Sequence, residues 1–216
     1  MKKPPKLLLL TVASVTVVAV SAYAAKPIKV CGTKREPTST YLDCYDHLSN
    51  IHQLRALEKF TKLRKLMISP QRNRTLNDKG MKYLAPLSDT LEDLSLMHQN
   101  IGSAGVAHLA GFAKLKTLGL YETKVDDGVF ASLAKIPNLD DVNLGKTKIT
   151  GEGFDALAGH DKLRVIRLRY TDVTDETLLK LAKVPNLEII GAEDTHVTEE
   201  GIAKLHEQLP DVKVWH

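Results

Sequence analysis

LKTLGLYETKVDDGVFASLAKIPN, residues 115–138, is one of several similar segments of this chain, and their regular recurrence is the strongest indication of its fold. The last five of six such segments begin at intervals of 24 residues. A fixed period of this length is typical of stacked supersecondary units, each too small to bury its own apolar face. The apolar pattern LxxLxL, or a close variant, begins at Leu63, Leu91, Leu115, Leu139, Leu163 and Leu187.

The hydrophobic period changes within each segment. Leu118 and Leu120 are separated by one residue, a spacing that predicts a short strand. Phe130 and Leu133 then lie three residues apart, which predicts a helical or 3₁₀ turn. Acidic residues such as Asp175 follow the turn, where the helix dipole favours them. Residues able to cap these helices precede them, namely Asn77, Asp126, Thr150, Thr174 and Thr198.

The segments resemble those of the leucine-rich repeat family. The family's LxxLxLxxNxL motif fits residues 115–125, with Thr123 where asparagine is usual. A hydroxyl can also bond the turn backbone, so we expect this departure to leave the fold intact. The segments ITGEGFDAL and VTEEGIAKL are similar to the 24-residue xITDxGLxxLAxLPNL subgroup. The position that Thr123 occupies, where asparagine is usual, holds Gln99, Thr147, Thr171 and Thr195 in other segments.

The resemblance implies an α/β fold of the ribonuclease-inhibitor-like kind. It is a right-handed solenoid arc with parallel strands on the concave face and helices on the convex face. The repeat domain would span residues 39–216, with a degenerate capping repeat at 39–62, six repeats at 63–211 and a terminal strand at 212–216. We expect Trp215 to cover the last layer, because the ends of a solenoid need caps.

One repeat is longer than the others, since the step from Leu63 to Leu91 is 28 residues. Insertions in repeat proteins map to loops, so we expect Pro70, Arg72 and Arg74 on a protruding loop. That loop is either a tolerated surface insertion or a contact for a partner.

Residues 1–24 have the pattern of a secretory signal peptide. Three early lysines precede an apolar stretch, and Ala22-Tyr23-Ala24 is a small-x-small cleavage site. We therefore expect cleavage near Ala24 and a secreted or periplasmic protein, with residues 25–38 forming an N-terminal tail or cap. The alternative is an uncleaved membrane anchor.

Export makes the two cysteines informative. Cys31 and Cys44 both precede the repeats, and in an oxidising compartment they predict a disulfide. A redox or metal pair is the alternative, but the spacing is not CxxC and no further ligands lie nearby.

Charge and motifs restrict the function classes. The formal charge is +4, and the leader holds three of the 30 basic residues and no acidic one, so the remainder carries +1. Nothing in that balance predicts binding to nucleic acid or acidic lipid. No metalloprotease, nucleophile-elbow, P-loop or dinucleotide motif occurs. The sequence therefore predicts a protein that is not an enzyme and holds no cofactor or metal.

The outward positions of the strands are the remaining candidate surface. They carry tyrosine and arginine, types enriched in binding hot spots. Arg167 and Arg169 either contact a partner or pair within the chain with Asp141, Glu193 or Asp194. Met97 and Gly191 also point outward. The predicted partner-binding residues are Tyr121, Asp141, Asn143, Arg167, Arg169, Tyr170 and Glu193.

These expectations together predict an exported, monomeric module that recognises another protein through its concave face, with no membrane contact after leader cleavage. Two alternatives remain open. One is an envelope-associated structural protein held by an uncleaved leader, and the other is a non-catalytic subunit of an enzyme.

Overall fold

A computed structural model of the chain describes residues 26–44, 48–69 and 74–216. The predicted signal peptide lies outside the described residues. So does most of the predicted insertion loop, including Pro70 and Arg72.

The described residues form ten strands of three residues each. The first two are β1 (Ile28–Val30) and β2 (Thr33–Arg35), which pair as an antiparallel hairpin. The other eight form one parallel sheet in chain order. They are β3 (Tyr41–Asp43), β4 (Lys65–Met67), β5 (Asp93–Ser95), β6 (Thr117–Gly119), β7 (Asp141–Asn143), β8 (Val165–Arg167), β9 (Ile189–Gly191) and β10 (Lys213–Trp215).

The register of this sheet aligns the central apolar residue of every strand with that of the next. Leu118 pairs with Leu94 on one side and Val142 on the other, and all three are fully buried. Each repeat thus shields the apolar side chain of its neighbour, which is why one repeat cannot stand alone. The aligned column is Leu42, Leu66, Leu94, Leu118, Val142, Ile166, Ile190 and Val214.

Short helices return the chain from one strand to the next. Most are 3₁₀ turns, as the three-residue spacing of the apolar side chains favours. In the described residues the 3₁₀ helices are Ile51–Lys59, Asp78–Leu87, Ala107–Leu109, Asp127–Val129, Phe154–Leu157 and Leu179–Lys183. The α-helices are Ser103–Val106, Phe130–Leu133, Asp175–Leu178 and Glu199–His206. The predicted α/β solenoid is confirmed.

Four of the five predicted N-cap residues cap the helix that follows them. The side chains of Asn77, Asp126, Thr174 and Thr198 each accept a backbone N–H of the following helix. The prediction for Thr150 is wrong. Gly151 has a φ of 91°, so the chain turns there and the helix begins only at Phe154, without a side-chain cap.

The threonines in the asparagine position behave as expected. The Thr123 hydroxyl donates to the Leu120 carbonyl at 2.7 Å, and Thr195 donates to Ala192 at 2.6 Å. Gln99 acts differently, because its Oε1 accepts the Leu76 amide of the preceding repeat at 3.0 Å. A polar side chain therefore ties the turn backbone in each of these repeats.

The two ends of the stack are covered by different means. At the N-terminal end the Sγ atoms of Cys31 and Cys44 lie at disulfide distance, with Cα atoms 5.0 Å apart and both residues fully buried. At the other end Val212 is buried and Val214 packs on the core. The expectation that Trp215 covers the last layer is wrong, because its position in β10 turns it outward and leaves it 50% exposed.

Within the part of the chain that the structure describes, no helix has the length and apolar character needed to cross a bilayer.

Candidate functional site

A hollow of about 390 Å³ lies on the outward face of the parallel sheet, across strands β5 to β10. We call it the concave hollow. It combines aromatic, thioether and guanidinium side chains, which are enriched where protein surfaces bind a partner, with one carboxylate. Its lining residues are Met97, Tyr121, Asn143, Arg167, Arg169, Gly191, Glu193 and Trp215.

Glycines lie beneath two of the large side chains that line the hollow. A Cβ at Gly145 would lie 2.9 Å from a ring carbon of Tyr121, so the tyrosine ring lies over this glycine. A Cβ at Gly119 would lie 3.3 Å from Met97 Cγ. Large side chains of one repeat therefore lean across the small residues of the next, which leaves their faces open to a ligand.

Both predicted arginines are paired inside the chain. Arg167 Nη1 donates to the Asp141 carboxylate. Arg169 Nε donates to Asp194 Oδ2 at 3.1 Å and its Nη2 donates to the Tyr170 hydroxyl at 2.8 Å. The hydrogen bond to Asp194 raises the pKa of Arg169 above its ordinary value. The Glu193 carboxylate accepts a hydrogen bond from neither arginine. Of the three acids predicted to pair with the arginines within the chain, two therefore do so, Asp141 and Asp194.

Five residues that follow the strands share an unusual backbone conformation. They are non-glycine residues with φ between 53° and 63°, in the left-handed region. This conformation recurs at 24-residue intervals and turns the chain away from the sheet. We call the set the C-terminal rim: His98, Glu122, Lys146, Tyr170 and Asp194.

Three side chains surround the Glu122 carboxylate on this rim. Lys146 Nζ donates to its Oε2 at 2.9 Å, Arg74 donates to its Oε1, and His98 Nδ1 lies 3.4 Å away. The hydrogen bond from Lys146, and next that from Arg74, hold the pKa of Glu122 below its usual value. Arg74 belongs to the long repeat, so the described end of the insertion loop is tied to the rim rather than free.

A second hollow, of about 500 Å³, lies at the opposite edge, where the strands begin. It is larger than the concave hollow, but its charges satisfy one another. Arg164 donates to both Asp140 oxygens, at 2.5 and 2.7 Å, and lies 3.5 Å from Glu188. We therefore regard it as a structural ion-pair array and not as the binding site.

That array extends along six of the eight parallel strands as two groups of three paired residues, and the sequence analysis missed it. Six residues at one position of successive repeats alternate in sign. Glu92 lies 3.7 Å from Arg64 and 3.5 Å from Lys116. Comparing that single position across repeats would have found the pattern. We call the set the charge ladder: Arg64, Glu92, Lys116, Asp140, Arg164 and Glu188.

The structure brings together five of the seven predicted binding residues in the concave hollow, namely Tyr121, Asn143, Arg167, Arg169 and Glu193. The other two support them from outside. Asp141 is paired with Arg167, and the Tyr170 ring lies 4.5 Å from the Arg169 guanidinium carbon.

Three lining residues were not among the seven. Met97 and Gly191 follow from outward strand geometry, but Trp215 was assigned to the cap. Its position could have been inferred from the alternation of Val214 and Trp215 on a strand paired in register with β9.

No group of three or more histidine, cysteine, aspartate or glutamate side chains in the described ranges is arranged to hold a metal ion.

The sequence matches no protein-family model and no curated protein. Among solved structures, that of a leucine-rich repeat protein from Leptospira interrogans is similar, with a TM-score of 0.54 and 16% sequence identity. This chain has a leucine-rich repeat fold. The match covers 76% of this chain and 39% of the Leptospira protein, so the repeat solenoid spans about two fifths of that chain. At this identity the likeness concerns the fold alone.

Proposed function

We propose that this leucine-rich repeat chain is an exported module that binds another protein through the concave hollow. The observation that carries the proposal is the meeting of Tyr121, Arg167, Arg169 and the half-exposed Trp215 around one hollow. Tryptophan, tyrosine and arginine dominate binding energy at protein interfaces, and an exposed tryptophan is otherwise costly to leave in water.

Rigidity of the surface supports the same proposal. The lining residues stand on or directly after strands held in register by their neighbours. Ion pairs to Asp141 and Asp194 also fix the two arginines before any partner arrives. Side chains that are already ordered lose less entropy on binding, so such a surface gains affinity.

The cellular location of the protein is part of the proposal. The Cys31–Cys44 pair at disulfide distance is compatible with an oxidising compartment, as expected for a secreted or periplasmic protein. We assign the repeats to the 24-residue subgroup and expect a monomer without catalytic activity, cofactor or nucleic-acid partner.

Capture of partners from the native envelope tests the surface. The wild-type protein and the variant Tyr121→Ala/Arg167→Ala/Arg169→Ala are crosslinked in place, and the captured proteins are identified by mass spectrometry. We expect one set of proteins to be lost with the variant. The matched control is Arg55→Ala/Lys82→Ala/Tyr83→Ala, an aromatic and two cations in contact on the helical side. Equal capture by both variants and wild type contradicts the proposal.

Export is tested separately by the intact mass of the cell-envelope protein. Cleavage near Ala24 makes it lighter by about 2.5 kDa, the mass of a leader of this length. A full-length mass supports the envelope-anchored alternative instead.

A further inference from the structure

The concave hollow carries one acidic side chain that forms no ion pair among the described residues. Arg167 is engaged by Asp141, and Arg169 by Asp194. Those two pairs are internally neutral. The remaining charged residue of the lining is Glu193, which also attracts Arg169 at longer range, and these five groups together carry an excess negative charge.

Glu193 lies where a ligand can reach it. A Cβ placed on Gly191 would be 3.1 Å from Glu193 Oε2, so the carboxylate lies over the glycine floor of the hollow. Among the described residues its carboxylate oxygens have no hydrogen bond and no ion pair within 4 Å. Only its backbone carbonyl is used, as the acceptor of the Tyr170 amide. A half-buried carboxylate without a partner is costly, and a cationic ligand would remove that cost.

One aromatic side chain stands on the strand next to this carboxylate. Trp215 is on β10, in register with Gly191 of β9, and lines the same hollow. Tyr121 lines the hollow farther along, over Gly145, and β8 lies between it and Glu193. The face of tryptophan is the best aromatic surface for a cation, and tyrosine is also effective.

We propose that the concave hollow recognises an arginine side chain of the partner protein, with Glu193 as its carboxylate acceptor and Trp215 as its stacking surface. This inference rests on the proposed function. A guanidinium fits because it pairs with a carboxylate through two parallel hydrogen bonds and stacks on aromatic rings. An acidic ligand would instead have to share each arginine with Asp141 or Asp194 and would meet the negative charge of Glu193.

The protein contains one tryptophan, so intrinsic fluorescence reports on the hollow directly. The full-length protein is titrated with short glycine-serine peptides that carry one central arginine, citrulline or glutamate. Citrulline has the shape of arginine without its charge. We expect saturable binding of the arginine peptide, with the citrulline peptide about tenfold weaker, the factor that one charge-assisted contact supplies, and no binding of the glutamate peptide.

Glu193→Gln should abolish the preference for arginine over citrulline. The matched control is Glu188→Gln, the same chemical change in the same repeat but on the charge ladder, outside the concave hollow. It should keep the preference. Thermal melting of both variants shows whether either has lost the fold. Trp215→Phe provides a second test, in which binding of the arginine peptide is measured by calorimetry instead of fluorescence. We expect this variant to bind the arginine peptide more weakly than the wild type.

The inference is overturned if arginine and citrulline peptides bind the wild type equally, if neither binds, if the glutamate peptide binds best, or if Glu193→Gln keeps the preference. Its failure differs from failure of the proposed function. If the native partner is lost with the Tyr121/Arg167/Arg169 variant but retained by Glu193→Gln, the surface binds a partner without arginine recognition.

Discussion

Individual carboxylates tie one repeat to the next along the edge where the helices begin. Asp127 accepts the Gly151 amide at 3.0 Å and the Thr150 hydroxyl at 2.7 Å. Asp78 accepts the Gly102 amide at 2.7 Å. Asp175 lies in the first turn of its own helix, where the helix dipole favours a negative charge. It also accepts hydrogen bonds from the amide and the hydroxyl of Thr198, both at 2.7 Å, and so orders the helix start of the following repeat.

Replacing Asp175 by alanine should lower the free energy of unfolding by about 1–3 kcal/mol, because two polar groups of Thr198 lose their acceptor. Urea denaturation measures the change. Glu176→Ala is the matched control: it removes the neighbouring carboxylate, which is exposed, and should change stability by less than about 0.5 kcal/mol. Equal losses in the two variants would show that Asp175 acts only through the dipole.

Glu122 should make stability depend on pH in the acid range. Its folded-state pKa is lowered from the usual 4.5 by hydrogen bonds from Lys146 and Arg74. A carboxyl group with a lowered pKa stabilises the fold above its unfolded-state pKa, and the contribution disappears as the pH falls through the folded-state pKa. We therefore expect Glu122→Gln to melt below the wild type near neutral pH.

The two melting temperatures should converge in acid, below the ordinary range of a glutamate. Melting curves across that range check the prediction. A constant difference between wild type and Glu122→Gln at every pH would mean that the amide change acts through packing alone.

Strands of three residues make few ladder hydrogen bonds, so side chains at their edges help to align them. The charge ladder does this where the strands begin. Opposite charges directly across neighbouring strands are favourable and like charges are unfavourable. Glu92 and Arg164 each contact a residue of opposite charge on both sides, so shifting either of their repeats by a residue would break contacts with both neighbours.

Reversing the charge of one residue in the charge ladder tests whether the ladder stabilises the alignment of the strands. Arg164→Glu places a third acid between Asp140 and Glu188 and should lower the stability of the protein by a small but measurable amount, since exposed pairs are individually weak. Adding Asp140→Lys should recover part of the loss, and high salt should reduce both effects. The free energies of a double-mutant cycle measure the coupling. Strictly additive effects of the two changes would rule out pairing across the strands.

The core of this solenoid is continuous, but each repeat contacts only its neighbours, so its ends and its middle can unfold separately. The N-terminal end is held by the Cys31–Cys44 pair, which closes a loop of 13 residues against β3. Removing this link frees the hairpin that covers the first layer. The middle repeats are flanked on both sides and do not depend on it directly.

The variant Cys31→Ala/Cys44→Ala should therefore lose about 3 kcal/mol in the chain-entropy model of disulfides. Hydrogen exchange should quicken at the N-terminal end, for example at the Cys44 amide that bonds to Met67. Amides between β7 and β8, such as Leu144, should keep their protection. Uniform loss of protection along the chain would mean that the solenoid unfolds as one cooperative unit.

The amino-acid pattern alone was enough to predict the repeat, its buried apolar residues, most helix caps and the hydroxyl bonds of the turn threonines, and the resemblance to leucine-rich repeats implied the parallel sheet. The apolar spacing, the caps and the hydroxyl bonds are each encoded within one 24-residue unit, where hydrophobic spacing reports burial. The left-handed rim was not visible, because five unrelated residue types share that conformation.

The contacts between units required the folded arrangement. Stacking brings residues that are 24 apart to neighbouring strands about 4.8 Å from one another, and residues that are 48 apart to strands twice as far apart. Which way each side chain then leans decides that Arg169 meets Asp194, that Arg74 reaches Glu122, and that the Glu193 carboxylate forms no ion pair among the described residues. Periodicity specifies the position of a residue on the sheet but not the direction of its side chain across it, and for that reason the pairing of the residues in the concave hollow emerged only from the packed molecule.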